Sequence, residues 1–336
     1  MIRSRATRHS EPFNQDSPIP RILRCDPRLF TKDLRGRVYI VTGGNSGTGL
    51  ATTEQLARQG ASVIAACRRV TAGCEAIRHL TGLPGVIEVS ELDLGSLASV
   101  RSFVDRVRAG HGQLHGLVNN AGVMNTPKGV TEDGFETQIG VNHLGHLLLT
   151  ELLLDLLRAG APSRVVFVSS VAHVGMRNRD STLDLDDLHF ERRPYDGLAA
   201  YGQSKLAMVI YARHLAKRLA GTGVSAFSTH PGWVRSNLVR YMAPPWVQNV
   251  LLKPLSGLLG LMSAADGAQT QLHCLLDDEA PSHSGAYYSQ CSILYRRRAE
   301  RDGGWPMRSP NPRVYDDALA ERLWEVSARL VKLRRE

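Results

Sequence analysis

From about Arg37 onward the chain alternates short apolar runs with longer segments of helical period, and this rhythm restricts the fold more than any other feature. Apolar runs cover 38–44, 61–68, 85–93, 114–122, 163–170 and 224–232, and helical periods cover 47–60, 71–81, 95–110, 131–158 and 198–220. Val38 to Val41 and Val165 to Val168 are apolar without alternation, as expected of strands covered on both faces. Such strands form a parallel sheet. Right-handed crossovers then produce a doubly wound α/β sheet with helices on both faces and a ligand crevice at the carboxyl ends of the strands. A further helix is expected over 263–277, a strand over 285–290, and a closing amphipathic helix over 315–333, with Leu319, Leu323, Trp324 and Val326 near one stripe.

The expected organisation is one Rossmann-type domain over 35–336. Residues 1–34, with four prolines and many charges, are expected to form a basic extension outside the core. The Pro/Leu-rich break in the rhythm at 233–283 is expected to be a C-terminal substrate-side insertion, or lid. A length of 336 residues at 43% hydrophobic and 22% charged suffices for a large core. The net charge of +9 is partly peripheral, since nine basic residues lie in the first 37 positions and three more are Arg296, Arg297 and Arg298. No nucleic-acid motif accompanies it, so a nucleic-acid partner is not expected.

Cys25, Cys67, Cys74, Cys274 and Cys291 are odd in number and contain no Cys-x-x-Cys, which points away from a disulfide framework or zinc and toward a reducing, cytoplasmic compartment. The most apolar stretch, 243–265, is interrupted by Asn249, Lys253 and three prolines, a poor spanning helix but one compatible with peripheral membrane contact. Arg3, Arg5 and Arg8, with no acid before Glu11, have the composition of an organelle-import signal and equally of a solvated tail.

Thr42-Gly43-Gly44-Asn45-Ser46-Gly47-Thr48-Gly49 joins the first strand to the first helix. Glycines at such a turn let backbone N–H groups approach a diphosphate, and the helix N-terminus adds a favourable dipole. After the second strand, where an acid would take a ribose 2′-hydroxyl, stand Cys67, Arg68 and Arg69. An arginine fork suits a 2′-phosphate, so NADP(H) is expected over NAD(H). Asp93, after the third strand, is placed either to meet an adenine amine or to cap the next helix. Asn119-Asn120-Ala121-Gly122, Asn142, Ser169-Ser170, Tyr201 and Lys205 all fall at the same crevice edge. His143 and His146, spaced i and i+3, have no further ligand nearby in sequence, and no metal is assigned.

Taken jointly, Thr42-Gly-x-x-x-Gly-x-Gly49, Asn119-Asn-Ala-Gly122, Ser170, Tyr201-x-x-x-Lys205 and His230-Pro231-Gly232 resemble the short-chain dehydrogenase/reductase superfamily over about 36–292. Stretches including 141–150, 165–173, 188–207, 230–238 and 266–277 resemble its retinol-dehydrogenase-like branch. The resemblance implies a seven-stranded parallel sheet and hydride transfer between a nicotinamide and an alcohol or carbonyl on a lipophilic substrate, with a homo-oligomer compatible. It implies Tyr201 as acid/base and Lys205 as holder of the nicotinamide ribose. Ser170 would bond the substrate oxygen, and Asn142 would kink its helix and hold a water that relays protons. Its implied cofactor contacts also include Leu94, Ala121, Pro231, Gly232, Val234 and Ser236, beside the loop residues Thr42 to Gly49. An ammonium one turn from a phenol lowers the phenol's pKa, so Lys205 is expected to do this for Tyr201. Two other functions fit the same crevice: a dinucleotide-binding sensor or assembly subunit without turnover, and a nucleotide-sugar epimerase or dehydratase, which shares the Tyr/Lys pair.

Overall fold

The computed structural model describes residues 21–176, 179–234 and 261–333. Strands β1 (Val38–Thr42), β2 (Ser62–Cys67), β3 (Val86–Glu91), β4 (Gly116–Asn119) and β5 (Ser163–Val168) form the first half of the pattern. A two-stranded antiparallel ribbon, β6 (Gly175–Met176) and β7 (Arg179–Asp180), follows, then β8 (Val224–His230), β9 (Tyr287–Ser289) and β10 (Gly304–Met307). The main sheet has the order β10-β9-β8-β5-β4-β1-β2-β3. Seven of its strands are parallel, as expected, and an eighth, β10, adds antiparallel to β9 with an irregular register. Periodicity could not reveal β10, because its four residues include a proline and are only partly buried.

Between the strands run α1 (Gly47–Arg58), α2 (Val70–Ile77), α3 (Leu97–Gly110), the short α4 (Thr137–Ile139), α5 (Gly145–Leu152), α6 (Leu154–Ala159), α7 (Gly197–Arg218), α8 (Ala264–Leu276) and α9 (Asp317–Leu330). A π-helical turn, Gly140–Leu144, joins α4 to α5. Neighbouring residues of β1 serve opposite layers. Ile40 joins the core with α3, α5 and α7, while Tyr39 and Val41 join the core with α1 and α8, which explains the absence of alternation. Strand order reverses at β1, so the crevice opens where β1 and β4 diverge.

Helix α7 is buried on nearly every side, from Leu198 to Ala216, because it lies between the sheet and α9. Asp196 starts it by accepting hydrogen bonds from the N–H groups of Leu198 and Ala199.

Two organisational expectations need correction. The described part of the 1–34 segment is not outside the core: Cys25, Leu29 and Leu34 are buried against Leu56 and Ala57, and the Gln59 amide donates to the carbonyl of Leu29 at 2.8 Å. Its apolar residues are spaced by prolines and a 3-10 turn, Pro27–Thr31, so no helical or strand period marks them. Nor is the described end of 233–283 a lid. Helix α8 packs on α1 as a layer of the sheet, burying Ala268, Leu272 and Leu275, and Gln271 donates to the Thr48 carbonyl at 3.1 Å. Residues 235–260 of that segment lie outside the described residues.

All five cysteines are free thiols, four of them buried. Among the described residues, no helix is long and apolar enough to cross a membrane.

Candidate active site

The glycine loop is held by the end of β4. Thr42 Oγ1 accepts from the N–H groups of Asn120 and Ala121, both at 2.9 Å, and the Asn120 amide donates to the Thr42 carbonyl at 2.8 Å. Thr48 Oγ1 donates to the Asn120 side-chain oxygen at 2.8 Å, closing the loop on itself. Gly43 (φ +64°) and Gly47 (φ +53°) take left-handed conformations. A Cβ at Gly49 would lie 2.3 Å from the Gly43 carbonyl oxygen, so only hydrogen fits there. Asn45 and Ser46 stand at the loop tip, and Ser46 caps α1 without a side-chain bond. The first-turn N–H groups of α1 are thus the donors a diphosphate would take.

Beyond β2, Arg68 and Arg69 are exposed and make no side-chain ion pair or hydrogen bond among the described residues. Asp93 holds its own turn, accepting from the Gly95 N–H at 2.8 Å, while its N–H donates to Ser99 Oγ; Ser96 is the cap of α3. Two expected cofactor side chains point elsewhere. Leu94 is in the core cluster beneath α3 and α5. Asn119 is fully buried and donates to Thr150 Oγ1 of α5 at 2.9 Å, because the pleat of β4 turns its amide toward that helix. Asn120, one residue later, is the one that grips the loop. Farther along, Gly232 (φ +83°) follows Pro231, and a Cβ there would meet Met262 Sδ at 2.5 Å. Val234 is buried and bridges to Met262, whereas Ser236 lies outside the described residues.

Ser170, Tyr201, Lys205 and Asn142 come together at the mouth of this crevice. Ser170 stands close enough to the Tyr201 hydroxyl to favour its ionised form. Lys205 Nζ lies 5.8 Å from the centre of the Tyr201 ring and donates to the Val168 carbonyl at 2.8 Å. Ser169 is occupied otherwise, donating to the Lys205 carbonyl at 2.8 Å, which leaves Ser170 as the serine beside the phenol. Gly122 makes room for the group: a Cβ there would lie 3.1 Å from Asn142 Oδ1 and 3.5 Å from Lys205 Nζ.

Both titrating partners are buried. Burial pushes the Tyr201 phenol up to about 12, with the neighbouring Ser170 pulling it the other way, and pushes the Lys205 ammonium down to about 7. Contrary to expectation, burial and not the neighbouring ammonium sets the direction of the phenol's shift. Asn142 sits in the π turn, so the kink is present. Its side chain accepts from Val123 N–H at 2.9 Å and donates to the Val123 carbonyl and to Ser204 Oγ, clamping the 122–124 loop to α7.

Comparison with known proteins follows the same residues. The family described as short chain dehydrogenase matches residues 37–179. Human retinol dehydrogenase 12 is 44% identical over 306 residues, covering 90% of this chain and 89% of that protein. The chain is a short-chain dehydrogenase/reductase of the retinol-dehydrogenase-like branch. Human retinol dehydrogenase 13 is 40% identical over 302 residues, covering 89% of this chain and 85% of its own. A solved structure of an uncharacterised protein from Mycobacterium paratuberculosis superposes with a TM-score of 0.69 at 35% identity, covering 90% of this chain and 96% of that one. As a member of its family, this dehydrogenase/reductase is an oxidoreductase of alcohols and carbonyls that works with a nicotinamide dinucleotide.

Three polar residues of the dehydrogenase/reductase escaped sequence reasoning. Asn120, the second residue of the Asn-Asn-Ala-Gly motif, grips the glycine loop through Thr42 and Thr48. His146 bridges the two halves of the site: Nδ1 is 2.9 Å from the Asn142 carbonyl oxygen and Nε2 is 2.9 Å from Thr42 Oγ1. A carbonyl only accepts, so Nδ1 carries the proton; the ring is neutral, pushed down to about 3 by burial, so Nε2 accepts from the threonine. Its i, i+4 spacing from Asn142 was the available signal. His143 turns away to Ser327 Oγ at 2.9 Å, and among the described residues no three His, Cys, Asp or Glu side chains form a metal cluster. The third, His173, bonds to the backbone of Ser170, and nothing local in the sequence marks it.

Proposed function

We propose that this dehydrogenase/reductase interconverts an alcohol and a carbonyl on a lipophilic, retinoid-like substrate with NADP(H), Tyr201 moving the proton. The observation that carries the reading is the buried Tyr201 phenol with Ser170 and Lys205 on either side of it, at the crevice where the glycine loop ends. The loop suits a dinucleotide, since a Cβ at Gly43 would meet Ala121 and one at Gly49 would meet the Gly43 carbonyl. Thr42 to Gly49 and the N-terminus of α1 would hold the diphosphate, and Gly232 would lie by the nicotinamide. Arg68, exposed and unpartnered at the end of β2, would take the 2′-phosphate that distinguishes NADP(H).

When bound, the cofactor supplies or accepts the hydride and, oxidised, a positive charge beside the phenol. Ser170 donates a hydrogen bond to the substrate oxygen as negative charge develops there. Tyr201 delivers its proton to that oxygen in reduction and takes it back in oxidation. With its pKa raised, the phenol is protonated at neutral pH, the form that reduction requires. Lys205 and the Asn142 region, with a water between them, would return the proton from solvent. The retinoid character of the substrate rests on the relatives named retinol dehydrogenase 12 and 13.

The test is oxidation of NADPH and NADH across a panel of ketones, aldehydes and retinal. Turnover with NADPH supports the reading, and turnover confined to NADH refutes its cofactor half. NADPH binding with no turnover on any carbonyl favours a dinucleotide sensor instead.

A further inference from the structure

We propose that Ser309 and Asn311, in the segment between β10 and α9, are positioning residues that set the catalytic serine through His173. The proposal rests on the reading of Ser170 as the residue that bonds the substrate oxygen. Ser170 opens a single 3-10 turn, Val171–His173, and its carbonyl receives both the backbone N–H of His173 at 3.0 Å and the imidazole Nδ1 at 2.6 Å. The other ring nitrogen, Nε2, lies 2.7 Å from Ser309 Oγ.

These contacts assign every proton. The Ser170 carbonyl can only accept, so Nδ1 carries the hydrogen. The buried ring is neutral, so Nε2 accepts and Ser309 donates. Ser309 Oγ in turn accepts from the Asn311 N–H at 3.2 Å, and the Ser309 N–H donates to the Tyr315 hydroxyl at 2.7 Å. Asn311 adds a second tie, its amide donating to the carbonyls of His173 at 2.8 Å and Ser181 at 3.0 Å. Ser181 is itself bound to the Ala172 carbonyl and presses on Gly202 of α7, where a Cβ would lie 2.3 Å from its hydroxyl.

One short strap therefore holds the turn that begins at Ser170 and, through Ser181, packs against the helix that carries Tyr201. His173, Ser309 and Asn311 are all at most 4% exposed. A hydrogen bond lost here cannot be replaced by bulk water. The strap lies outside the 37–179 region that the family description matches, so this part of the chain contributes to the site from a distance.

The experiment compares the wild-type protein with Ser309→Ala. Removing the hydroxyl leaves Nε2 without its donor and frees the ring to tilt. The expected result is a fall in kcat of about tenfold, with NADPH Kd changed by less than about twofold. Nitrogen-15 NMR of labelled histidine gives a readout independent of turnover. In the wild type His173 is expected as the Nδ1–H tautomer with a hydrogen-bonded Nε2, a signature lost in Ser309→Ala. Asn311→Ala is expected to give the same split of kcat from Kd, and it serves as the test variant if Ser309→Ala does not fold. A kcat within twofold of wild type overturns the proposal, as does a parallel loss of kcat and NADPH affinity, which marks a merely structural role. An Nε2–H or charged His173 in the wild type overturns it whatever the activity. A wild type that shows the expected signature and binds NADPH, yet reduces no carbonyl, refutes the functional reading separately.

Discussion

Acidification is expected to unfold this protein well above the pH at which carboxylates protonate, because four histidines are buried as neutral rings. Burial pushes His143, His146 and His230 down to about 3 and His173 down to about 4. In the unfolded chain each returns to about 6.5. Between these values the unfolded state binds more protons than the fold, so stability falls as pH falls. Each ring costs about 1.4 kcal/mol at pH 5.5, and the four together about 5.6 kcal/mol, on the order of a whole domain's stability. Glu136, a buried carboxyl raised by desolvation, acts in the opposite sense, but it is a single group. Urea unfolding followed by tryptophan fluorescence, at about pH 7.5 and about pH 5.5, measures the difference. His143→Gln, whose side chain turns away from the site to Ser327, should remove about a quarter of the slope. A stability at the lower pH within about 1 kcal/mol of that at the higher would refute neutral burial and, with it, the hydrogen-bond directions assigned to His146 and His173.

The cofactor loop makes a sharper steric prediction: Gly49→Ala forces a Cβ against the Gly43 carbonyl and the Asn120 amide, and isothermal titration should show NADPH affinity down by at least about tenfold. Arg68→Asp reverses the charge offered to a 2′-phosphate, so the ratio of kcat/KM for NADPH over NADH should fall by about a hundredfold or more in steady-state kinetics. An unchanged ratio would assign phosphate recognition elsewhere.

The parallel sheet could be read directly from the sequence because β1 over 38–41 and β5 over 165–168 are apolar without alternation, and the helices between carry a clear period. Ser170, Tyr201, Lys205 and Asn142 could also be located, since they fall at one crevice edge and match the motifs of the short-chain dehydrogenase/reductase superfamily. What escaped depends on long-range contact. Nothing near His173 indicates that its partner is Ser309, and nothing in 21–34 indicates that Leu29 and Leu34 will pack on α1. Asn119 and Asn120 are identical neighbours. Only the pleat of β4 decides that the first turns to Thr150 and the second to the glycine loop. The direction of the Tyr201 shift is hidden for a related reason, because spacing shows the ammonium's proximity but not the depth of burial that raises the phenol.

Replacing Tyr201 by Phe tests the central claim most directly, since it removes one oxygen and keeps the ring that fills the pocket. With the carbonyl that the wild type reduces best, Tyr201→Phe should lose at least about a thousandfold in kcat. Its NADPH affinity, read by fluorescence titration, should stay within about threefold, a change of less than about 1 kcal/mol. Turnover retained within tenfold of wild type would contradict the assignment of Tyr201 as the group that moves the proton.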